Sequence, residues 1–214
     1  MLELGVKTLI AYLVGAMLGS LVLGRLRGVD IRGLGSGNAG ATNALRTQGK
    51  LFALLVLLVD IGKGVFVVLY LPRAHLPGIP PDPLLSREWL TLACGLAVIL
   101  GHVYPVWFAF RGGKGVATMI GVAGALEPRL LLPVIGLWIV VLVLTGYVGL
   151  ASMVAGAALA ASVYLLDPSD GPLLMFCIVV ELLVVFAHRG NIARMAAGTE
   201  NRVRKIWLFR SRTA

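Results

Sequence analysis

The stretch "GLGSGNAGATNALR", residues 33–46, holds an uncommon density of groups suited to binding an anion. Gly35, Gly37 and Gly40 permit positive φ and close backbone approach. Successive backbone N–H groups in such a loop form an anion-binding nest. Ser36, Asn38, Thr42 and Asn43 add short polar side chains, and Arg46 adds a fixed cationic fork. The letters 35–40 also spell G-x-G-x-x-G, the fingerprint of a dinucleotide-binding turn. That turn needs a preceding strand and a soluble βαβ unit. Here an apolar run and an arginine-rich turn precede it, so the phosphate chemistry survives and the nucleotide does not. A tight glycine loop with Asn caps is the bland alternative.

A second word, "RGGKG" at 111–115, places Lys114 on a double-glycine turn at the start of an apolar run. It is not a P-loop, because Gly115 stands where Ser or Thr is required and Phe108 where a glycine is required. Lys114, with Gly112 and Gly113, reads as an oxyanion or phosphate clamp, or as a basic anchor at a membrane interface. A third word, "HRGNIARMAAGTE" at 188–200, sets His188 and Asn191 three apart on one helix face, beside Arg189 and Arg194. His188 suits a general base, a phosphate donor or a cap.

The elements that must position these words are membrane spans. The 214 residues are 58% hydrophobic and 14% charged, with a mean hydropathy of +0.92, a composition outside the soluble range. Seven apolar runs are expected to cross as helices: 4–24, 51–71, 89–110, 115–126, 130–145, 147–166 and 173–187. The fourth is short, and charge placement decides its status. With seven spans, Arg25, Arg27, Arg32, Arg46, Lys50, Arg111, Lys114 and the seven basic residues from Arg189 onward share one side. Those seven include Arg204, Lys205, Arg210 and Arg212, and only Arg73, Arg87 and Arg129 face the other side. The positive-inside rule then sets the N-terminus outside and the C-terminus in the cytoplasm. All three polar words fall on the cytoplasmic side. The expected architecture is a single all-α transmembrane domain over 1–214.

Deeper polar groups are few. Asp60 and Lys63, at i and i+3, are expected to neutralise each other inside the bundle. His102, before Pro105, is expected to make a structural hydrogen bond or to serve the chemistry, and Glu181 has no evident partner. Cys94 and Cys177 read as packing residues, with no metal-ligand spacing around them. His75 reads as solvated, and 76–88 as an extended outer connector. The first run opens with Glu3 and Lys7 and is expected to be kept as a span instead of cleaved as a signal. No basic stretch carries the interleaved aromatics of a nucleic-acid site. A transporter for an anionic solute would gather its polar groups near the midplane, and a lipid-binding scaffold would need little beyond the basic tail.

The three words, in this order and separated by apolar spans, resemble the signature motifs of the bacterial acyl-phosphate-dependent glycerol-3-phosphate acyltransferases. The quoted residues are "GSGNAGATN", "GHVYPVWFAFRGGKGVAT" and "HRGNIARMAAGTE". The resemblance implies a seven-span enzyme of the bacterial inner membrane that starts phospholipid synthesis. It would pass a fatty acyl group from acyl phosphate to the 1-hydroxyl of glycerol 3-phosphate, without a cofactor or metal. Under it, Ser36, Gly37, Asn38, Gly40, Thr42, Asn43 and Lys114, with Gly112 and Gly113, would bind the acyl-phosphate group. Arg46, His188 and Asn191 would hold glycerol 3-phosphate. Asp60, Lys63, His102 and Ser152 would support the site. The proton acceptor is His188 or a substrate phosphate. The resemblance leaves a protein partner unspecified. No His-x-x-x-x-Asp dyad is present, since Pro80, Trp107 and Ala193 follow His75, His102 and His188 at that distance. One departure stands out: Gly149 lies where the family usually carries the first serine of a Tyr-x-Ser-Leu-x-Ser-like stretch, leaving Ser152.

Overall fold

In the computed structural model residues 1–203 and 206–209 are described; Arg204, Lys205, Arg210 and Arg212, counted above among the cytoplasmic charges, lie outside the described residues. The chain is all-helical. Among the described residues the β-structure amounts to one isolated bridge, Leu76 to Ile79, in the connector 76–88. Two compact units divide it, Met1–Pro128 and Arg129–Ala214.

The first unit holds six α-helices: α1 (Leu2–Gly15), α2 (Gly19–Leu26), α3 (Ala41–Gln48), α4 (Lys50–Tyr70), α5 (Arg87–Val103) and α6 (Val116–Leu126). The second holds α7 (Leu131–Thr145), α8 (Val148–Leu166), α9 (Gly171–Ala187) and α10 (Arg189–Ala196). Each of the seven apolar runs is helical over most of its length. Four helices, extended by their flanking 3-10 turns where present, are long and apolar enough to cross a bilayer, and six spans result if each bent pair counts as one. α6, with 11 residues, rises only about 16 Å, well short of a ~30 Å hydrocarbon layer.

Two boundaries differ from expectation. The run 4–24 is not one helix: it breaks after Gly15, and α1 and α2 meet at a 49° bend. The run 89–110 stops being α-helical at Val103 and continues as a 3-10 turn at Val106–Phe108. Pro105 stops α5, because it lacks an N–H and restricts Tyr104 before it.

Polar side chains explain why the first break is tolerated. A helix end leaves backbone groups unpaired, which is costly where no water reaches. Lys63 Nζ donates to the Gly15 and Met17 carbonyls, at 2.9 and 3.3 Å. Asp60 Oδ1 accepts from Gly19 N–H, at 3.2 Å, so the cation sits at the C-terminus of α1 and the anion at the N-terminus of α2. The expected pairing is present, with Lys63 Nζ 3.0 Å from Asp60 Oδ1. Both side chains are buried, so losing one partner alone would cost about 3–5 kcal/mol.

Glycine sets the helix spacing. A Cβ on Gly15 would lie 2.2 Å from the Val98 carbonyl oxygen, and one on Gly101 would lie 2.1 Å from that of Tyr12, so α1 and α5 touch backbone to backbone. Gly64 and Gly121 bring α4 and α6 together in the same way. Such small-residue seams are the usual means of packing helices in lipid, where apolar burial gives no net drive. At the N-terminal end of α1, the buried Glu3 carboxylate accepts from Lys7, Arg87 and Asp82 N–H, tying α1 to the connector 76–88. In the second unit α8 packs on both α7 and α9, and Gly156 makes room for the Glu181 carboxylate. Glu181 Oε2 has no hydrogen-bond partner among the described residues, as its sequence suggested. Cys94 and Cys177 are free and buried, as packing residues should be.

Gly101→Leu is expected to force α1 from α5 and lower stability by about 3 kcal/mol. Thermal unfolding of the purified variant in detergent checks this, and an unshifted midpoint would contradict the close approach.

Candidate functional site

The first glycine loop is built by Asn43. Its Oδ1 accepts from Ser36 N–H at 2.9 Å, while its Nδ2 donates to the Ile31 and Leu34 carbonyls at 2.9 and 3.0 Å. Gly35 and Gly37 take φ of +58° and +72°, and a Cβ on Gly35 would fall 2.4 Å from Asn43 Oδ1. Only glycine fits there without strain. Asn43 is buried, whereas Ser36, Gly37 and Thr42 are exposed and Asn38 and Gly40 half-buried. Asn43 was expected to touch phosphate; both of its amide donors instead hold the loop, which makes it a positioning residue. Gly40 leads into α3 with no side-chain cap, leaving first-turn N–H groups at the loop's edge. Arg46 is exposed on the last turns of α3.

The second loop packs on the end of α5. Gly113 N–H donates to the His102 carbonyl at 3.1 Å, and Gly112 N–H to that of Val103 at 3.2 Å. A Cβ on Gly113 would lie 2.1 Å from His102 Nε2, and one on Gly112 would lie 2.1 Å from the His102 carbonyl oxygen. The double glycine is thus a contact requirement. Ala109 and Phe110 carry positive φ of 55° and 59°, a conformation that costs non-glycine residues energy and clusters at functional loops. Lys114 follows, half-buried, just before α6.

These two loops meet, and Arg32 joins them. Its guanidinium donates from Nη1 to the Phe108 and Arg111 carbonyls, both at 3.1 Å, and lies 5.7 Å from the Phe108 ring centroid. Asp30 grips the same guanidinium through both carboxylate oxygens, at 2.6–3.1 Å. Hydrogen bonds from Arg32 hold the Asp30 carboxyl below its usual range. Arg25 stacks on the other contact of that ring, 5.0 Å from the Phe108 centroid. Sequence reading treated Arg32 only as interfacial charge; the nearby signal was Asp30, two residues earlier in a turn.

The third word lies in the second unit. His188 is buried at the bend between α9 and α10, and its Nδ1 donates to the Val184 carbonyl at 2.8 Å. With the proton fixed on Nδ1, Nε2 is the basic nitrogen of the neutral ring. Asn191 is buried and donates from Nδ2 to Glu200 Oε1 at 2.8 Å. Arg194 Nε donates to Glu200 Oε2 at 2.7 Å, so Glu200, unassigned in sequence, organises this segment. Gly149 gains a physical meaning: a Cβ there would lie 2.9–3.0 Å from three Asn191 atoms. In this chain the position where serine is usual is filled from the other side by Asn191. Ser152 is buried, donates to the Val148 carbonyl at 2.9 Å and accepts from Trp138 Nε1 at 3.3 Å, which is a packing role between α7 and α8.

An all-helical membrane protein with two glycine loops clamped on one another is the class that this fold and these loops define. Residues 6–198 match the family model for glycerol-3-phosphate acyltransferase, and the chain belongs to that family. Its relatives include the glycerol-3-phosphate acyltransferase of Geotalea daltonii, 42% identical over 191 residues, covering 89% of this chain and 93% of the relative. Glycerol-3-phosphate acyltransferase 1 of Deinococcus radiodurans is 45% identical over 198 residues, covering 91% and 93%. The crystal structure of PlsY (YgiH), an integral membrane glycerol 3-phosphate acyltransferase, in its glycerol 3-phosphate form, superposes with a TM-score of 0.81 at 34% identity, over 93% of this chain and 94% of that one. The chain is accordingly a multi-pass membrane protein.

Asn43→Ala leaves Ser36 N–H without its acceptor and takes one of two donors from each of the Ile31 and Leu34 carbonyls, and is expected to cost about 2 kcal/mol. The check is thermal unfolding together with proteolysis of the 33–40 loop, which should become the earliest cleavage site.

Proposed function

We propose that this chain acylates glycerol 3-phosphate at its 1-hydroxyl, taking the acyl group from acyl phosphate. The hydroxyl oxygen attacks the acyl carbon, an ester C–O bond forms, and the bond from that carbon to the phosphate oxygen breaks. Lysophosphatidic acid and inorganic phosphate leave. The observation that carries the proposal is the pair of glycine loops clamped together by Arg32, with Ser36 exposed on one and Lys114 on the other. The family membership, and the PlsY structures in glycerol 3-phosphate and lysophosphatidic acid forms, support the acceptor and product.

The assignments follow from the resemblance of the three polar words to the family's motifs. Ser36 through its hydroxyl, Asn38, Thr42, Lys114 and the first-turn N–H groups that follow Gly40 bind the acyl-phosphate group and the oxyanion that grows on its carbonyl, while Gly37, Gly112 and Gly113, whose N–H groups donate to the Leu34, Val103 and His102 carbonyls, shape the two loops around it. Fixed N–H donors and a lysine need little reorganisation as that charge develops. Asn43 holds the first loop. Arg46, His188 and Asn191 bind glycerol 3-phosphate. Acyl phosphate is already activated, so no covalent nucleophile is required. The hydroxyl proton passes to a substrate phosphate, whose second ionisation lies near neutrality, while His188 orients the acceptor. Asp60, Lys63 and His102 support the site from within the first unit, and Ser152 supports it through the packing of α7 on α8.

The topology belongs to the same proposal. One domain spans the bacterial inner membrane seven times, with α1 and α2 as a bent first span and α6 as a short fourth. The N-terminus faces out and the C-terminus inward, supported by the distribution of Arg and Lys. The site then opens to the cytoplasm, the side from which water-soluble glycerol 3-phosphate enters and to which inorganic phosphate leaves.

Purified protein in lipid, given radiolabelled glycerol 3-phosphate and palmitoyl phosphate, is expected to yield labelled lysophosphatidic acid. No product from that pair overturns the activity, and product from acyl-CoA alone overturns the donor. Ser36→Ala and Lys114→Ala are each expected to lower kcat by about 100-fold or more with insertion intact. Near-normal rates in both would overturn the phosphate assignment.

A further inference from the structure

We infer that Asp60, Lys63 and His102 form one buried positioning cluster that sets the place of both glycine loops. The inference rests on reading those loops as the phosphate site, and it assigns them a common anchor. All three side chains are buried within the first unit. Lys63 Nζ lies 3.0 Å from Asp60 Oδ1 and 3.0 Å from His102 Nδ1. An ammonium only donates, so His102 Nδ1 accepts and the neutral ring carries its proton on Nε2. His102 Nδ1 is also 3.5 Å from Asp60 Oδ1, so the two acceptors share the one ammonium of Lys63 between them.

Two arms leave the cluster. Along the first, Lys63 holds the Gly15 and Met17 carbonyls and Asp60 holds Gly19 N–H, which fixes where α2 begins. The next residue, Ser20, is fully buried and donates its hydroxyl to the Ala39 carbonyl, inside the first glycine loop. Along the second, the Nε2 side of His102 is the surface on which Gly113 rests, while the His102 carbonyl accepts Gly113 N–H. Lys114 follows directly. A displacement at the cluster therefore reaches Ala39 through Gly19 and its neighbour Ser20, and Lys114 through the single residue Gly113. Charge neutralisation alone would not need either arm.

The test reads the loops directly by hydrogen–deuterium exchange of the full-length protein in detergent micelles. The readouts are the Ser36 and Gly37 amides, bonded to Asn43 Oδ1 and the Leu34 carbonyl, and the Gly112 and Gly113 amides, bonded to α5. Asp60→Asn with Lys63→Met, made together, removes both charges at similar volume and avoids an unpaired buried ion. This double variant is expected to exchange at least about tenfold faster at both loops, with α7 to α9 unchanged. Ser20→Ala is expected to affect only the first loop and His102→Asn only the second, and these milder changes serve if the double variant does not insert. In each, kcat/KM should fall with exchange at the loop affected. Unchanged exchange at both loops in the double variant, or a uniform rise through both units, overturns the inference. So does loosening of both loops by Ser20→Ala or by His102→Asn. Because exchange needs no turnover, an inactive parent protein would refute the proposed reaction and leave this test intact.

Discussion

A helix interrupted inside a low-dielectric layer must have its freed backbone groups answered by side chains, and in this protein one ion pair does that. Lys63 takes the carbonyl end of α1 and Asp60 the amide end of α2. Each charge also lies at the helix terminus whose dipole favours it. An ion pair in an apolar interior gains little when compared with apolar packing of the same volume. Its justification is the backbone it satisfies. The 49° bend that results aims α2 toward the loop that follows, and that direction cannot be obtained from a straight span.

From the bend outward, backbone proximity replaces side-chain bulk as the organising device. Gly15 and Gly101 join α1 to α5; Gly64 and Gly121 join α4 to α6. The loops extend the same logic to the polar face, where Gly35 admits the Asn43 amide and Gly113 admits the His102 ring. Arg32 then bonds carbonyls on the second loop from a position on the first. The outcome is a pair of glycine loops whose backbone is fixed by internal hydrogen bonds and by Arg32. A literal G-x-G-x-x-G served by helices instead of a strand keeps the anion chemistry and drops the rest.

Much of this could be read in the residues. The apolar runs, the three polar words and the Asp60–Lys63 pairing were legible because each is local: a run of spans, a glycine cluster, an i,i+3 spacing. The break after Gly15 was not, since 12–19 carries no charge or proline to mark it and the lysine that satisfies it lies 48 residues away. Likewise Asn43 looks like a ligand in sequence, and only the loop's closure shows both amide donors occupied. The meaning of Gly149 depended on Asn191, a neighbour in space across α8 and α10. Close approach between elements carries no signature in a single chain of letters.

The N-terminal end of α1 holds a consequence of a different kind, in the order of assembly. Glu3 is buried with its carboxylate shared between Lys7 and Arg87. Arg87 is made 84 residues later, a delay of roughly 4–17 s at ~5–20 residues per second. Until then Lys7, one turn along, is the side-chain cation of α1 that pairs with that carboxylate. The pair balances the side-chain charges of α1 before Arg87 exists, and Arg87, at the start of α5, then carries the same carboxylate's bonds to a second helix.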